Sequence, residues 1–407
     1  MLFSRSLSSL LLPALAFLSL SARASLHSRT IPTTAALKLS VKINSSGIKN
    51  IVAADRARVQ ALIKNGGNPS ISVANAQLLC TTEIGIGTPP TYHKLLVDTG
   101  SSNTWIGANQ SYVKTTTSKD TGSQFSVTYG DSNGVVGEEY LDTVTFNSDL
   151  VIESQSIGVA SAGSNAGLTG GIDGILGIGP VDLTLGTSSN DVEIPTVMDN
   201  LYQQKTISSE VFGVFFSPAS AGDTTGELTL GGYDASKITG NIGYVPTTSG
   251  SYANQYWGID QSISYGKTSI LSKTSGIVDT GTTLIMIATD AFNKYKAATG
   301  GVYDDVTGLL QISSDQYDKL SSLYFTIGGV SYELTPNAQI WPRSLNSVIS
   351  GSTSGIYLIV SDTGSNSGSG VDFTNGYVFL ERFYSVFDTT KSRVGFAKTK
   401  YTYVTSN

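Results

Sequence analysis

Two short stretches of the sequence decide the fold. Residues 96–102 read Leu-Val-Asp-Thr-Gly-Ser-Ser, and residues 277–283 read Ile-Val-Asp-Thr-Gly-Thr-Thr. Each stretch has two apolar residues, then Asp-Thr-Gly, then two hydroxyl residues, and the two aspartates, Asp98 and Asp279, are 181 positions apart. That separation is about the length of one domain. The repeat therefore predicts a duplicated domain whose two copies face each other and bring the aspartates together.

A third Asp-Thr-Gly tests this interpretation. It lies at residues 362–364, preceded by Ser361 and followed by Ser-Asn-Ser-Gly at residues 365–368. A loop so rich in serine and glycine is not expected to hold a carboxylate rigidly, and no strand pattern continues after it. We therefore interpret residues 362–364 as a surface turn.

The pattern around these motifs predicts a mostly-β protein. Short apolar or alternating runs separated by Gly, Ser and Asn turns follow one another from about residue 80. Helical periodicity is rare, and the best candidates are residues 195–204, 290–298 and 314–323. With 407 residues, 40% of them apolar and 14% charged, the chain is long enough for two domains. We expect an N-terminal β lobe over residues 76–250 and a C-terminal β lobe over residues 251–407.

The first 75 residues differ from the rest. Arg5, an apolar run at residues 10–20 and Ala-Arg-Ala at residues 22–24 predict a secretory signal peptide over residues 1–24; a disordered apolar tail is the alternative. Residues 25–75 carry seven Lys and Arg but one acid, Asp55, whereas the remaining body carries a net charge of about −14. This opposition favours a basic pro-segment laid over an acidic body; an unstructured basic linker is the alternative. Lys49 and Lys64 are the candidates in this segment to pair with Asp98 and Asp279.

Composition excludes several other chemistries. Cys80 is the only cysteine, so no intrachain disulfide forms, and we expect a buried thiol. Of the two histidines, His27 lies in the predicted pro-segment and His93 is expected at the surface or half-buried, so neither a zinc cluster nor a Ser–His–Asp triad is supported. The acidic body disfavours nucleic acid, no later segment is apolar enough to span a membrane, and no cofactor is expected.

Two carboxylates at close range can hydrolyse a peptide bond. They cannot both ionise easily, so they share one proton. The ionised member then acts as a base for water while the protonated member donates to the substrate carbonyl. A glycosidase uses the same residue type, but it does not explain why both halves carry a matched Asp-Thr-Gly.

These motifs resemble the pepsin family of aspartic peptidases, and the resemblance covers residues 75–400. It includes both aspartate loops, the opening strand and turn at residues 82–89, a flap hairpin at residues 127–131, Asp-Gly-Ile-Leu-Gly at residues 173–177, and the closing strands at residues 383–388 and 394–397. The resemblance implies a secreted, bilobed, mostly-β endopeptidase, made as a zymogen and active at acid pH, with a cleft between two barrel-like lobes. It also implies polypeptide substrates, pepstatin-like inhibitors and a monomer.

The resemblance implies a role for each motif residue. Asp98 and Asp279 correspond to the catalytic pair, and the residues that support them are Thr99, Gly100, Ser101, Thr280, Gly281 and Thr282. The residues expected to cover the substrate are Tyr129, Gly130 and Asp131 on the flap, with Trp105 as the hydrogen-bonding partner of Tyr129.

Two departures from the family pattern matter. The apolar-apolar-Gly segment of the second lobe is read as Phe-Leu-Glu at residues 379–381, with Glu381 where glycine is usual. Asp131 places an acid on the flap, where it is expected either to attract a substrate lysine or to cap the turn. A catalytically silent pepsin-like binding protein is the alternative function, although such proteins usually lose an aspartate that this chain keeps.

Overall fold

The computed structural model describes residues 34–43, 51–64, 78–128, 134–164, 166–168, 170–221 and 225–407. The predicted signal peptide lies outside these ranges. So do three of the predicted site residues, Tyr129, Gly130 and Asp131.

Strands dominate the described residues, as the sequence predicts. In chain order they are β1 (Ala35–Ile43), β2 (Leu78–Ile86), β3 (Thr91–Asp98), β4 (Thr104–Ile106), β5 (Lys119–Thr128), β6 (Gly134–Thr145), β7 (Val151–Ala160), β8 (Gly174–Gly177), β9 (Val211–Phe216), β10 (Thr225–Leu230), β11 (Gly243–Pro246), β12 (Gly258–Tyr265), β13 (Thr268–Val278), β14 (Ile285–Ile287), β15 (Val302–Tyr303), β16 (Leu310–Ile312), β17 (Leu323–Ile327), β18 (Val330–Leu334), β19 (Ile356–Leu358), β20 (Val360–Asp362), β21 (Phe373–Asn375), β22 (Phe383–Asp388) and β23 (Arg393–Lys398).

The α-helices are few and short. They are α1 (Ile51–Lys64), α2 (Val197–Gln203), α3 (Thr289–Thr299), α4 (Ser314–Tyr317) and α5 (Tyr377–Leu380). The helices predicted at residues 195–204 and 290–298 correspond to α2 and α3, whereas only the first four residues of the helix predicted at residues 314–323 are helical, in α4. No helix in the described ranges is both long and apolar enough to cross a membrane.

Among the described residues the strands form three sheets. A thirteen-stranded sheet has the order β11-β23-β22-β9-β10-β1-β2-β3-β8-β4-β7-β6-β5. A seven-stranded sheet has the order β18-β17-β12-β13-β21-β14-β20, and a three-stranded sheet has the order β15-β16-β19. The first aspartate ends a strand of the large sheet, and the second follows a strand of the seven-stranded sheet.

The two aspartate loops are supported in the same way. β3 runs parallel to β8, with Asp98 opposite Gly177, and β13 runs parallel to β21, with Val278 opposite Asn375. The segment beneath the second aspartate is therefore Phe373–Asn375 followed by Gly376. A Cβ at Gly376 would come within 2.3 Å of the Leu284 carbonyl oxygen, so glycine is required there.

The assignment of this role to residues 379–381 was therefore wrong. Glu381 lies just after α5, is buried, and accepts a hydrogen bond from the Ala219 amide at 2.9 Å. It also lies 3.5 Å from the Arg382 guanidinium, which supplies the opposite charge. The family glycine is kept at Gly376 rather than replaced.

The predicted pro-segment contributes two elements. β1 lies between β10 and β2 in the large sheet, with Val41 opposite Cys80. α1 buries one apolar side, formed by Ile51, Val52, Val59 and Leu62. The alternative of an unstructured linker does not fit these two described elements.

Two single residues were also assigned from the sequence. Cys80 is fully buried and free, as expected. His93, in contrast, is fully buried rather than at the surface, because its position in β3 faces the core. Burial lowers the pKa of the His93 imidazole, more than the nearby Asp173 carboxylate raises it.

Candidate active site

Asp98 and Asp279 lie together, and both are 0% exposed. Each carboxylate has the same pair of donors from its own loop. The Gly100 amide donates to Asp98 Oδ1 at 3.0 Å and Ser101 Oγ donates to Asp98 Oδ2 at 2.5 Å. In the second loop, the Gly281 amide donates to Asp279 Oδ1 at 2.9 Å and Thr282 Oγ1 donates to Oδ2 at 2.5 Å. The donors fix the plane of each carboxylate.

The two loops are tied to each other by the threonines between the aspartates and the glycines. The Thr99 amide donates to Thr280 Oγ1, and the Thr280 amide donates to Thr99 Oγ1, each at 3.0 Å. Each hydroxyl then donates onward to a carbonyl of the opposite strand, Val278 O at 3.1 Å and Val97 O at 2.9 Å. This reciprocal set holds the two aspartate loops in one register.

Glycine at the third position of each motif makes room for the opposite carboxylate. A Cβ at Gly100 would come within 2.8 Å of Asp279 Oδ1, and a Cβ at Gly281 within 2.6 Å of Asp98 Oδ1. Any larger residue at either position would therefore push the pair apart.

The guanidinium of Arg58, from α1, lies between the two aspartates. Its Nε donates to Asp279 Oδ2 at 2.6 Å, and its Nη2 donates both to Asp279 Oδ1 at 2.9 Å and to Asp98 Oδ1 at 2.7 Å. The sequence-based candidates for this contact were Lys49 and Lys64. Lys49 lies outside the described residues, and the side chain of Lys64 is not described. Arg58 is the functional residue that sequence reasoning missed.

The carboxylates differ in their titration. Burial raises the pKa of both carboxyls, and Arg58 lowers the pKa of both. The net result is a raised pKa for Asp98 and a lowered pKa for Asp279. Asp279 receives two hydrogen bonds from the guanidinium and Asp98 receives one, which accounts for the difference. Although burial alone would lower the pKa of Arg58, the two carboxylates hold it above its ordinary value, so the guanidinium stays charged.

A second buried acid anchors α1 beside the pair. Asp55 accepts hydrogen bonds from the Leu284 amide at 2.7 Å and the Thr283 amide at 3.3 Å, just after the second aspartate loop. Burial raises the pKa of Asp55 to about 7, although these amides and Arg58 favour the ionised form.

The third Asp-Thr-Gly is also in contact with α1. Arg56 Nη2 donates to Asp362 Oδ2 at 3.1 Å, and Arg56 Nε donates to the Asp362 carbonyl at 3.0 Å. Gln60 Nε2 donates to the Thr363 carbonyl at 2.8 Å. The predicted turn is present, with Gly364 exposed, but the expectation that it does not hold a carboxylate rigidly was wrong: the side chain of Asp362 is 13% exposed and Thr363 is fully buried.

Two aromatic residues relevant to the site, Trp105 and Tyr256, are buried. Trp105 is fully buried in β4, while its predicted partner, Tyr129, lies outside the described residues. Sequence reasoning gave no role to Tyr256, which is buried close enough to the site for Arg58 and both aspartates to act on its pKa; burial is the main cause of the upward shift. No isolated sequence signal marks Tyr256, because it belongs to neither aspartate motif.

Comparisons with known proteins agree with this geometry. The family model described as eukaryotic aspartyl protease matches residues 80–399. Polyporopepsin from Irpex lacteus is 58% identical over 342 residues, which cover 83% of this chain and 99% of that protein. Rhizopuspepsin-1 from Rhizopus niveus is 30% identical over 318 residues, 75% of each chain.

A solved structure agrees as well. The crystal structure of the aspartic proteinase from Irpex lacteus matches with a TM-score of 0.76 and 56% identity, covering 83% of this chain and 97% of the other. The predicted bilobed, mostly-β fold is thereby confirmed. The family match spans most of the chain and both aspartate loops, so this protein belongs to the eukaryotic aspartyl protease family and is an aspartic endopeptidase of the pepsin type.

Proposed function

We propose that Asp98 and Asp279 are the catalytic pair and activate a water molecule between them. The supporting observation is that Oδ1 of each carboxylate contacts the same nitrogen, Arg58 Nη2, at 2.7 and 2.9 Å. Two oxygens that share one donor can also share one water. When Arg58 leaves, the pair has lost its cation and must hold a proton instead.

The remaining motif residues position this pair. Ser101 and Thr282 donate to the outer oxygens, so the inner oxygens stay directed at the reacting water. The ionised carboxyl takes a proton from water as it attacks the scissile carbonyl, and the protonated carboxyl donates to the carbonyl oxygen. The same sharing requires acid pH, because at neutral pH both carboxyls lose the proton.

The test is substitution of each aspartate in the processed enzyme. Asp98→Asn and Asp279→Asn each replace a carboxylate by an amide that cannot share the proton, so we expect kcat on a bulk protein substrate at acid pH to fall by about 10³-fold or more. Asp305→Asn, which changes an exposed aspartate, is the control and should stay active and sensitive to pepstatin. Substantial turnover by either active-site variant would contradict the mechanism.

We further propose that residues 1–24 direct secretion and that residues 25–75 are a pro-segment that blocks the pair until it is removed. Arg58, Asp55 and Arg56 support this because one helix holds both aspartates and their surroundings. The body then comprises an N-terminal lobe, residues 76–250, and a C-terminal lobe, residues 251–407, in a monomer. Purified unprocessed chain should show a lag before it cleaves peptides in acid, and the lag should end when N-terminal sequencing shows loss of the pro-segment.

For the flap, we propose that Tyr129 and Gly130 cover the substrate, with Trp105 beneath. Asp131 is two residues after Tyr129, so alternation along a strand places both side chains on one face, toward the cleft. A substrate lysine just before the scissile bond then pairs with Asp131.

The flap proposal predicts a change in substrate preference. Asp131→Ser should lower the Lys-to-Leu ratio of kcat/KM at that position by about tenfold, because a partly buried charge pair is lost. The preference should also fade in strong acid, where Asp131 is protonated. An unchanged ratio would mean that Asp131 only caps the flap turn.

A further inference from the structure

The turn at residues 362–364 forms a built site for a guanidinium. The Arg56 side chain bonds both the carboxylate and the backbone carbonyl of Asp362. Its aliphatic stem lies against Gly364, where a Cβ would come within 3.1 Å of Arg56 Cδ. Gly364 has a φ of +84°, a conformation that favours glycine and lets the stem approach the turn closely.

Residues of the body, rather than of α1, hold Oδ1 of Asp362. Thr289 Oγ1 donates to Asp362 Oδ1 at 2.6 Å, and the Gly364 amide donates to the same oxygen at 2.8 Å. Asp362 ends β20, which pairs with β14, and the Thr363 amide donates to the Ile287 carbonyl at 2.9 Å. All of these partners belong to the body. The oxygen that Arg56 contacts, Oδ2, is therefore already oriented when the helix departs.

The site and the catalytic pair are both covered by α1. Arg56 and Arg58 are two residues apart, so their side chains leave the helix about 200° apart around its axis. Arg56 reaches Asp362, and Arg58 reaches both catalytic carboxylates. A substrate long enough to replace α1 over the aspartates therefore has residues within reach of Asp362.

We propose that, in the processed enzyme, Asp362 is a specificity residue that binds an arginine side chain of the peptide substrate. The carboxylate supplies the charge and the Asp362 carbonyl accepts a second hydrogen bond, as each does for Arg56. Arginine is favoured over lysine, because a guanidinium has donors placed for both acceptors. This inference rests on the proposed removal of the pro-segment.

The test compares arginine with citrulline, its uncharged isostere. The peptides share one cleavable sequence, and each carries a single arginine or citrulline at one of the positions flanking the scissile bond. The value of kcat/KM is measured for each peptide at about pH 5, where an ordinary aspartate is ionised. In wild type and in Asp305→Asn we expect arginine to be favoured at one position by about three- to tenfold, the range for a half-exposed charged hydrogen bond. In Asp362→Asn the ratio should fall to near one at that position.

Two further outcomes separate the possibilities. If no position favours arginine in wild type, or if Asp362→Asn keeps the wild-type ratio, the inference is overturned while the peptidase function stands. If wild type and Asp305→Asn cleave none of the peptides, the proposed function fails. Should Asp362→Asn not fold, Thr289→Val keeps the carboxylate but removes one donor that orients it; a lower ratio supports the inference, and an unchanged ratio overturns it.

Discussion

In the proposed role of residues 25–75 as an inhibitory pro-segment, Arg58 has a property that a lysine would lack. A guanidinium presents several donors in one plane, so a single side chain can bond both oxygens of Asp279 and one of Asp98. Its pKa is so high that it stays charged at any pH the protein meets. Acid release must therefore come from protonation of the carboxylates, not from a change on the inhibiting residue.

Replacing Arg58 tests this role. Arg58→Gln leaves two buried carboxylates without a cation, which costs about 3–5 kcal/mol when one partner of a buried pair is removed. We expect the unprocessed variant to become active at higher pH and with a shorter lag than wild type. Arg58→Lys keeps the charge but loses the forked contact and should lie between the two.

The control for this experiment is Lys38→Gln, which removes one exposed positive charge from the same segment. It should activate with the wild-type lag. If Arg58→Gln also keeps that lag, the Arg58 contact does not govern activation.

The residues that could be predicted from the sequence are those whose partners are close in the chain or symmetric. Ser101 and Thr282 lie three positions after the aspartates to which their hydroxyls donate, so the motif alone indicates these two hydrogen bonds. Arg58 is 221 positions from Asp279, and nothing local distinguishes it from the other basic residues of residues 25–75. Its identity depends on how α1 docks, which composition does not encode.

Helix α1 is held by an apolar side and by four polar side chains along its length: Asp55, Arg56, Arg58 and Gln60. The apolar side chains and Arg58 are buried, while Asp55 contacts backbone amides of the body. The two ends of this contact respond oppositely to acid. Although burial raises the pKa of Asp279, Arg58 holds it below its ordinary value, so protonation of Asp279 as the pH falls weakens docking.

The raised pKa of Asp55 acts in the other direction. The docked carboxyl has a pKa of about 7 against an ordinary 3.8, so between pH 7 and pH 4 the docked helix holds a proton that the free helix lacks. Lower pH in that window therefore favours docking, by up to about tenfold per pH unit. Asp55 thus delays release until the catalytic carboxyls themselves take up protons.

Asp55→Asn should remove this delay. The inhibition constant of a peptide of residues 25–75 against processed enzyme is measured from pH 7 to pH 4, with the wild-type peptide, the Asp55→Asn peptide and the Lys38→Gln peptide as control. We expect the Asp55→Asn peptide to lose affinity steadily as the pH falls, while the other two hold theirs over more of the range. Equal pH slopes for all three peptides would refute the role given to Asp55.

Two elements were misread from the sequence for one reason. Residues 379–381 have the two apolar residues of the apolar-apolar-Gly pattern without its glycine, whereas residues 374–376 (Thr-Asn-Gly) have the glycine without the apolar residues. Only the pairing of β21 with β13 shows which segment lies under the aspartate. Similarly, Ser and Gly around Asp362 indicate a loop, but the turn is rigid because Thr289 holds the carboxylate. In both cases the structure depends on contacts between residues far apart in the chain, and a local sequence pattern does not reveal such contacts.

The opposed charges of residues 25–75 and of residues 76–407 act over a longer range than these contacts. Residues 25–75 carry seven basic residues and one acid, and residues 76–407 carry a net charge of about −14. Such complementarity speeds encounter more than it strengthens the final complex. Buried contacts such as Arg58 with the two aspartates are expected to set how slowly the complex separates.

This division predicts how salt affects inhibition in trans. Exposed charges are screened at a Debye length of about 10 Å in 0.1 M salt and about 3 Å in 1 M, whereas a buried pair is screened much less. When a peptide of residues 25–75 binds processed enzyme, the association rate should fall on the order of tenfold over that range, and the dissociation rate should change little. The Arg58→Gln peptide should dissociate faster than the wild-type peptide but show the same salt dependence of association. The Lys38→Gln peptide should dissociate at the wild-type rate but show a weaker salt dependence of association. Stopped-flow recovery of activity measures both rates. A dissociation rate that rises in step with salt would mean that exposed charges, rather than the buried Arg58 contacts, hold the segment in the cleft.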